Sequence, residues 1–180
     1  MRVIGGKYKS RVLLAFEGTA IRPTSDRAKE ALFNILALKI AGARALDLFC
    51  GSGALGIECL SRGASEVVFN DAAKDSVALL KKNLTKLGVG REAVVYTFDY
   101  LACLSMQKTP FDLIFLDPPY KEEYGKKALE QIAKEGLLSE QGIAVYERDR
   151  SFEGQISGLE IFDERKYGKT YFTFFRREQR

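Results

Sequence analysis

The sequence contains no histidine and few cysteines, and both shortages restrict the chemistry that it can perform. Without histidine there is no Ser-His-Asp or Cys-His hydrolase site, no histidine general base and no histidine-ligated metal. Cys50, Cys59 and Cys103 lack C-x-x-C spacing, so they are predicted to be reduced, buried thiols. Any reaction must therefore use carboxylates, lysine, tyrosine, backbone groups or a cofactor, and we expect no metal site.

Long apolar runs are also missing. No segment approaches the roughly 18–20 apolar residues that a membrane helix needs. Charges and glycines interrupt residues 1–7, which leaves no room for a signal-peptide core. The 180 residues suit one ordinary domain. We therefore expect a single domain over residues 1–180 that is cytoplasmic, monomeric and without a membrane partner.

Charge is unevenly distributed along the chain, although the net charge is only +4. Residues 1–44 carry +6 and residues 165–180 carry +5, whereas residues 45–164 carry −7. Basic ends around an acidic core suit a polyanion that docks on one side of the fold. Two solvated basic surfaces would give the same pattern, so charge alone leaves both interpretations open.

Short apolar segments alternate with amphipathic ones from about Arg44 onward. The predicted strands are Ala43–Phe49, Glu66–Asn70, Ala93–Thr97, Phe111–Leu116 and Ile143–Tyr146, and the helices between them end near Arg62, Gly88 and Lys134. This order predicts a mostly parallel sheet with helices on both faces. Two further strands, Leu159–Phe162 and Tyr171–Phe175, predict an antiparallel hairpin at the edge of a seven-stranded sheet.

The N-terminal residues 1–40 are predicted to form an appendage on a core of residues 41–180. A short hairpin is expected to pair Arg2–Ile4 with Arg11–Leu14. A helix should then begin near Asp26, with Thr24 or Ser25 as its cap.

The first predicted strand leads into a glycine-rich loop. Its sequence, Asp47-Leu48-Phe49-Cys50-Gly51-Ser52-Gly53-Ala54-Leu55-Gly56, contains the G-x-G-x-x-G pattern. Gly51 permits a tight turn, Gly53 allows a ligand to approach the backbone, and Gly56 allows the helix to pack on the sheet. The pattern alone is weak, but the loop follows a strand and opens a helix, which favours a nucleotide-type cofactor.

Carboxylates at three strand ends indicate which cofactor binds. Asp71 follows the second strand and is placed to accept ribose hydroxyls. Asp99 follows the third strand and can accept from an adenine amino group. Asp47 would oppose the pyrophosphate of a dinucleotide at the helix N-terminus but attract an ammonium and a sulfonium. The set favours S-adenosylmethionine over NAD and makes a dehydrogenase the weaker hypothesis.

The fourth strand ends in the rare tetrapeptide Asp117-Pro118-Pro119-Tyr120. Two prolines stiffen the exit from the strand. The Pro118 carbonyl and the Asp117 carboxylate could then each accept a hydrogen bond from one planar amino group. Tyr120 could stack on the attached base, a contact worth ~1–3 kcal/mol. We predict transfer of a methyl group to that nitrogen, with Asp117 stabilising its developing positive charge.

These motifs together resemble the class I methyltransferases, and the chain is similar over nearly its whole length to one family of them, the bacterial 16S rRNA guanine-N2 methyltransferases (RsmD). The matching segments are residues 2–7 with Arg11, residues 22–27 with Glu30, Phe33 and Asn34, residues 45–49 through Glu58, residues 60–64, Asn83-Leu84, residues 117–120 and residues 167–170. The resemblance implies a Rossmann-like fold and methylation of N2 of guanine-966 in the small ribosomal subunit. This sequence departs from the family pattern at Cys50 and Cys59, where alanine is expected, and at Asp71, where glutamate is usual.

The resemblance also assigns residues to roles. It implies cofactor contacts from the glycine loop and the strand ends, and closure of Thr24 over the methionyl end; the predicted cofactor set is Asp47, Phe49, Gly51, Ser52, Gly53, Asp71, Asp99 and Thr24. It implies that Asp117, Pro118, Pro119 and Tyr120 surround the target amine.

The small size of the chain favours RNA over duplex DNA, because RNA loops already present splayed bases to a protein without a DNA-reading domain. The basic residues expected to contact RNA phosphates are Arg2, Lys7, Lys9, Arg11, Arg22 and Arg27. Methylation of a DNA adenine or of a protein glutamine remains an alternative. A non-catalytic RNA-binding module is disfavoured because Asp117 and the glycines are intact.

Overall fold

The computed structural model describes residues 1–16, 25–119 and 122–179. Seven strands within these residues form one sheet in the order β3-β2-β1-β4-β5-β7-β6. The strands are β1 (Arg44–Asp47), β2 (Glu66–Asn70), β3 (Ala93–Tyr96), β4 (Phe111–Leu116), β5 (Leu138–Arg148), β6 (Leu159–Tyr167) and β7 (Thr170–Arg177). The helices are α1 (Asp26–Ile35), α2 (Ala37–Ile40), α3 (Ala54–Ser61), α4 (Lys74–Leu87), α5 (Tyr100–Met106) and α6 (Glu122–Lys134).

The sheet is mixed in the way that the sequence predicts. Strands β1 to β5 pair in parallel, and β7 pairs antiparallel with both β5 and β6. The C-terminal hairpin turns at Gly168, whose φ of +63° favours glycine. The predicted seven-stranded architecture with an antiparallel edge hairpin is therefore confirmed.

Hydrophobic side chains fill both faces of the sheet because successive residues of a strand point to opposite sides. Along β4, Leu113 and Phe115 belong to the core on one face, whereas Ile114 and Leu116 belong to the core on the other. The first core contains α1, α3 and α4; the second contains α5 and α6. The three cysteines are buried and free, as predicted.

Two predicted helix ends are confirmed by their caps. The Ser25 hydroxyl accepts a hydrogen bond from the backbone N–H of Ala28 at 3.2 Å, which caps α1. Gly88 ends α4 with a φ of +68°. Thr24, the other predicted cap, lies outside the described residues.

The N-terminal hairpin is present and is packed into the main core. Arg2 and Val12 form an antiparallel bridge. Val3, Tyr8 and Leu13 are buried in the same cluster as the α1 and α3 side chains. The hairpin thus contributes three side chains to the core, and the rest of the segment predicted as an appendage adds five more: Ala28, Leu32, Phe33, Leu36 and Ile40.

A buried carboxylate, Glu58 on α3, fastens the hairpin to the sheet domain. Its oxygens accept the backbone N–H groups of Ile4 and Gly5 at 2.9 and 2.8 Å. They also pair with Lys29 of α1 at 3.5 Å and with Arg62 at 2.9 Å. The side chains of Glu58 and Lys29 have no exposed surface. Three parts of the chain, namely the hairpin, α1 and the end of α3, therefore depend on one carboxylate.

No helix in the part of the chain that the structure describes is long and apolar enough to cross a lipid bilayer.

Candidate active site

The predicted site residues converge because β3, β2, β1 and β4 are neighbours in a parallel sheet. Their carboxyl ends lie at one edge, where ligands of such folds bind. This order places Asp99, Asp71, the glycine loop and Asp117 side by side along that edge. Asp47 ends β1 and lies directly opposite Phe115 of β4.

Backbone hydrogen bonds hold the glycine loop in a tight turn. The Gly51 N–H donates to the Asp71 carboxylate at 2.9 Å, and the Gly53 N–H donates to the Cys50 carbonyl at 2.7 Å. Gly51 has a φ of +51°, and a Cβ built on it would meet nothing within 4 Å. The loop therefore leaves open space above Gly51 for a ligand.

The other two glycines serve packing. A Cβ on Gly56 would come within 2.2 Å of the Phe69 ring, so α3 lies as close to β2 as the sequence predicts. A Cβ on Gly53 would come within 2.3 Å of Leu80 Cδ1. The space beside Gly53 is thus filled by α4, and its φ of +86° makes glycine doubly necessary.

Asp47 lies beneath the loop. Its side chain is buried and accepts the Gly56 N–H at 2.9 Å. Burial raises the pKa of Asp47 to about 7, and the nearby charges of Asp117 and Asp71 add to the increase. The Asp47 carboxylate therefore holds the first turn of α3 in place.

The Asp47 pKa predicts a pH-dependent stability. Since an unfolded aspartate titrates near 4, the folded protein retains this proton up to about pH 7 after the unfolded chain has released it. The free energy of unfolding should therefore fall as the pH rises from about 4 to about 7, by on the order of 2–4 kcal/mol from Asp47. Urea unfolding at pH 5 and pH 8 measures this decline, and Asp47→Asn should reduce it. An equal decline in the variant would assign the effect to other groups.

The carboxylates of Asp71 and Asp99 lie at the carboxyl ends of the strands, where ligands of such folds bind. Asp71 accepts the N–H groups of Gly51 and Ala73, both at 2.9 Å. Asp99 is exposed and caps α5 by accepting the Leu101 N–H at 2.9 Å. A carboxylate has about four acceptor positions, so both residues retain capacity for ligand hydroxyl or amino groups.

Asp117 follows β4 and is exposed to solvent at the sheet edge. Although part of the residue is exposed, desolvation of its carboxylate by neighbouring protein raises the pKa of Asp117 to about 7. Pro118 and Pro119 follow in the described part, whereas Tyr120 lies outside it. A carboxyl group that titrates near neutral pH at this edge can accept a hydrogen bond when ionised.

Phe49 and Ser52 are also predicted to contact the cofactor. Ser52 lies in the glycine loop, and Phe49 is part of a row of aromatic rings beside it. Its ring centroid lies 5.4 Å from that of Tyr100, which lies 5.3 Å from that of Tyr124. Tyr100 belongs to α5, a helix that the sequence analysis did not predict. These rings form an apolar wall next to Asp99.

Two buried asparagines support the site, and sequence reasoning gave neither of them a role. The Asn70 amide donates to the carbonyls of Leu48 and Phe98 at 3.2 and 3.1 Å. The Asn83 amide donates to Ser52 at 3.0 Å and exchanges hydrogen bonds with the backbone of Leu14. Asn83 therefore connects the N-terminal segment to the glycine loop. Its only sequence signal was its place in the family resemblance.

Five of the predicted RNA-binding residues fall on the N-terminal hairpin and α1. Arg2, Lys7, Lys9, Arg11 and Arg27 are exposed. Arg2 also pairs with Asp26 at 3.3 Å. Thr24 and Arg22 lie outside the described residues. Among the described residues, no group of three or more acidic residues or cysteines is arranged to hold a metal ion.

Comparisons with known proteins identify a family and several relatives. The family model described as conserved hypothetical protein 95 matches residues 1–176. YlbH of Bacillus subtilis, whose name proposes an rRNA methyltransferase, is 44% identical over 156 residues and covers 85% of each chain. Ribosomal RNA small subunit methyltransferase D of Escherichia coli is 34% identical over 83% of this chain and 75% of its own.

A solved structure shows the same fold. YhhF from Escherichia coli, described as a proposed methyltransferase, superposes with a TM-score of 0.88 at 31% identity and covers 99% of this chain and 98% of its own. The seven-stranded sheet with its edge hairpin is the class I methyltransferase fold.

Proposed function

Since this chain belongs to the family described as conserved hypothetical protein 95, the RsmD methyltransferases, we propose that it methylates N2 of guanine-966 in 16S rRNA, with S-adenosylmethionine as methyl donor. The observation that carries the proposal is the placement of Asp117 at the same sheet edge as the open glycine loop. The small ribosomal subunit is the proposed partner, because the Escherichia coli relative is named as a methyltransferase of small-subunit ribosomal RNA.

The cofactor fits the residues at this edge. The open space above Gly51 admits a ligand against the backbone. Asp71 would accept the ribose hydroxyls, Asp99 would accept from the adenine amine, and Phe49 lies in the neighbouring apolar wall. Bound there, the cofactor supplies an electrophilic methyl group. Thr24, outside the described residues, is proposed to close over the methionyl end.

The protein positions the target amine and receives its charge. An ionised Asp117 accepts one hydrogen bond from the amino group, and the Pro118 carbonyl accepts the other. Both contacts hold the nitrogen lone pair toward the methyl carbon. Transfer would form the nitrogen–carbon bond and break the methyl–sulfur bond of the cofactor, which would leave as a neutral thioether. Asp117 would stabilise the positive charge on the nitrogen, and the surplus proton would pass to Asp117 or to water. Tyr120 is proposed to stack on the base.

The experiment that tests this proposal uses isotope-labelled S-adenosylmethionine and small ribosomal subunits that lack the modification. After incubation, the RNA is digested to nucleosides. Labelled N2-methylguanosine supports the proposal, and mapping the labelled nucleotide tests position 966. No label in RNA, with cofactor binding proven by calorimetry, would redirect the assignment to DNA adenine or protein glutamine, which are assayed in parallel.

Gly51→Ala should weaken cofactor binding by about ten-fold or more, because the added methyl group occupies the open space above the loop. Gly88→Ala is the matched control, since Gly88 also has a positive φ and an unobstructed Cβ position but lies at the end of α4. Both variants should lose about 1 kcal/mol of stability to backbone strain. Calorimetry with S-adenosylmethionine separates the two effects; equal affinities in the two variants would contradict the role of Gly51.

Neutralising Lys7, Lys9 and Arg11 together should weaken binding to small subunits and flatten its dependence on salt. Each lost phosphate contact lowers the slope of log affinity against log salt by roughly 0.7–0.9. Affinity for S-adenosylmethionine should not change. A triple alanine variant with an unaltered salt slope would remove the hairpin from the proposed RNA surface.

A further inference from the structure

A cavity of about 260 Å³ opens beside the end of β5, outside the cofactor site. Its lining includes three cations (Lys126, Arg148 and Arg150), two aromatic rings (Tyr146 and Phe152) and one carboxylate, Glu153. Arg150 also lies 3.9 Å from the carboxylate of Asp149, and the lining itself still carries more positive than negative charge. This excess lies within the part of the chain that carries −7 overall. The local reversal of charge indicates a site for an anion.

The cavity lies at the same sheet edge as Asp117. Tyr146 pairs with Leu116, the residue before Asp117, in adjacent parallel strands. Neighbouring strands are about 4.8 Å apart and rise about 3.3 Å per residue, so the Cα atoms of Arg148 and Asp117 lie within roughly 10 Å of each other. A Cβ on Gly125 would come within 2.1 Å of the Tyr146 ring, which shows how closely α6 brings Lys126 to this point.

The loop that closes the cavity is held in place by a carboxylate behind it. Glu164 accepts the Phe152 N–H at 3.0 Å and the hydroxyl groups of Ser151 and Thr173 at 2.5 and 2.6 Å. Arg148 donates to the Ser151 carbonyl at 3.1 Å and lies 5.2–5.3 Å from the ring centroids of Tyr146 and Phe152. The cavity is therefore a formed feature of the fold.

We propose that this cavity binds the phosphate and ribose of a nucleotide flanking the target guanine, an inference that rests on the proposed RNA substrate. Arginine and lysine bind RNA phosphates, and aromatic and guanidinium planes stack on splayed nucleotides. The cavity and the N-terminal hairpin then hold the RNA at two separate places around Asp117. Contacts in the cavity would hold the RNA backbone on the β5 side while the guanine turns out toward Asp117.

The test compares two double variants that remove the same charge. Lys126→Ala with Arg150→Ala removes two exposed cations of the cavity, whereas Lys108→Ala with Lys134→Ala removes two exposed cations at the opposite edge of the sheet. The cavity variant should raise the KM for small subunits about ten-fold and reduce the salt slope by roughly 1–2. The control pair should change neither value, and neither variant should alter S-adenosylmethionine affinity.

An unchanged KM and salt slope in the cavity variant, or an equal change in both variants, would overturn the cavity assignment. Failure of the proposed function has a different signature, because it shows in the unaltered protein as absence of N2-methylguanosine. If the unaltered protein binds subunits without methylating them, the variants' binding affinities still decide the cavity. If it binds no ribosomal RNA, both proposals fail together.

Discussion

Replacing Asp117 with alanine is expected to lower the rate of methyl transfer by about 10²–10⁴-fold, the largest functional effect of any substitution considered for this protein. In the proposed mechanism, the carboxylate both orients the amino group and stabilises the charge that develops on nitrogen. Asp117→Asn should lose nearly as much, since an amide of the same shape carries no negative charge. Single-turnover methylation of small subunits measures the loss.

Asp112→Ala is the matched control for this experiment. Asp112 lies on the same strand at its opposite end, where it accepts hydrogen bonds from Arg44 and Ser139. That variant should keep its methylation rate, and all three variants should bind S-adenosylmethionine with nearly the affinity of the unaltered protein. An Asp117→Ala enzyme with more than a tenth of the original rate would remove Asp117 from the chemistry.

The pH profile carries a further signature of Asp117. With a pKa raised to about 7, the carboxyl group is protonated in acid and becomes a competent acceptor as the pH rises through 7. The methylation rate should therefore increase across that range in the unaltered protein. The residual rate of Asp117→Asn should lack this increase.

Replacing Glu58 with alanine is expected to give the largest loss of stability, about 3–5 kcal/mol. The substitution leaves the Lys29 ammonium without its buried counter-charge, in surroundings where burial already lowers the pKa of Lys29. It also leaves the N–H groups of Ile4 and Gly5 without acceptors. Denaturant unfolding measures the effect, and the N-terminal hairpin should lose hydrogen-exchange protection first.

A double variant separates the buried charge from the hydrogen bonds. Glu58→Gln with Lys29→Met removes both charges and leaves an amide oxygen able to accept a backbone N–H. It should therefore be more stable than Glu58→Ala. A Glu58→Ala protein that loses less than about 1 kcal/mol would show that the pair contributes little to the fold.

Much of the fold could be predicted because its elements follow local rules. β2 and β4 begin and end at the predicted residues, since each is a short apolar run bounded by polar or turn residues. α4 ends at the glycine that its pattern indicated. β1 and β4 pair with each other, as strands on either side of the switch point of a doubly wound sheet do.

The elements that were missed depend on distant parts of the chain. α5 has few polar residues to mark an exposed face, and its position is set by the Asp99 cap and by packing against α6. β5 is longer than predicted because Leu138 pairs with Phe111 before a shift in register. Neither the packing of α5 against α6 nor the pairing of Leu138 with Phe111 can be inferred from one segment of the sequence alone.

The candidate site was predictable at its loops but not in its supports. The glycine loop could be recognised because it follows a strand and opens a helix, and Asp117 because it begins a rare tetrapeptide with a defined chemical use. Asn70, Asn83 and Glu58 resemble ordinary polar residues, and their importance comes from carbonyl and N–H groups up to 69 residues away that they satisfy. Only a structure brings those groups together.

The place of β7 in the sheet has a consequence for synthesis. β7 lies between β5 and β6, although β6 precedes it in the chain. While a ribosome makes the protein, β6 emerges without a neighbour to pair with, and the edge of β5 stays open until β7 inserts. Phe172, Phe174 and Phe175 then bury themselves in the two cores at once. A nascent chain that stalls before residue 170 would leave the edge of β5 unpaired, and another chain could pair with that edge and aggregate.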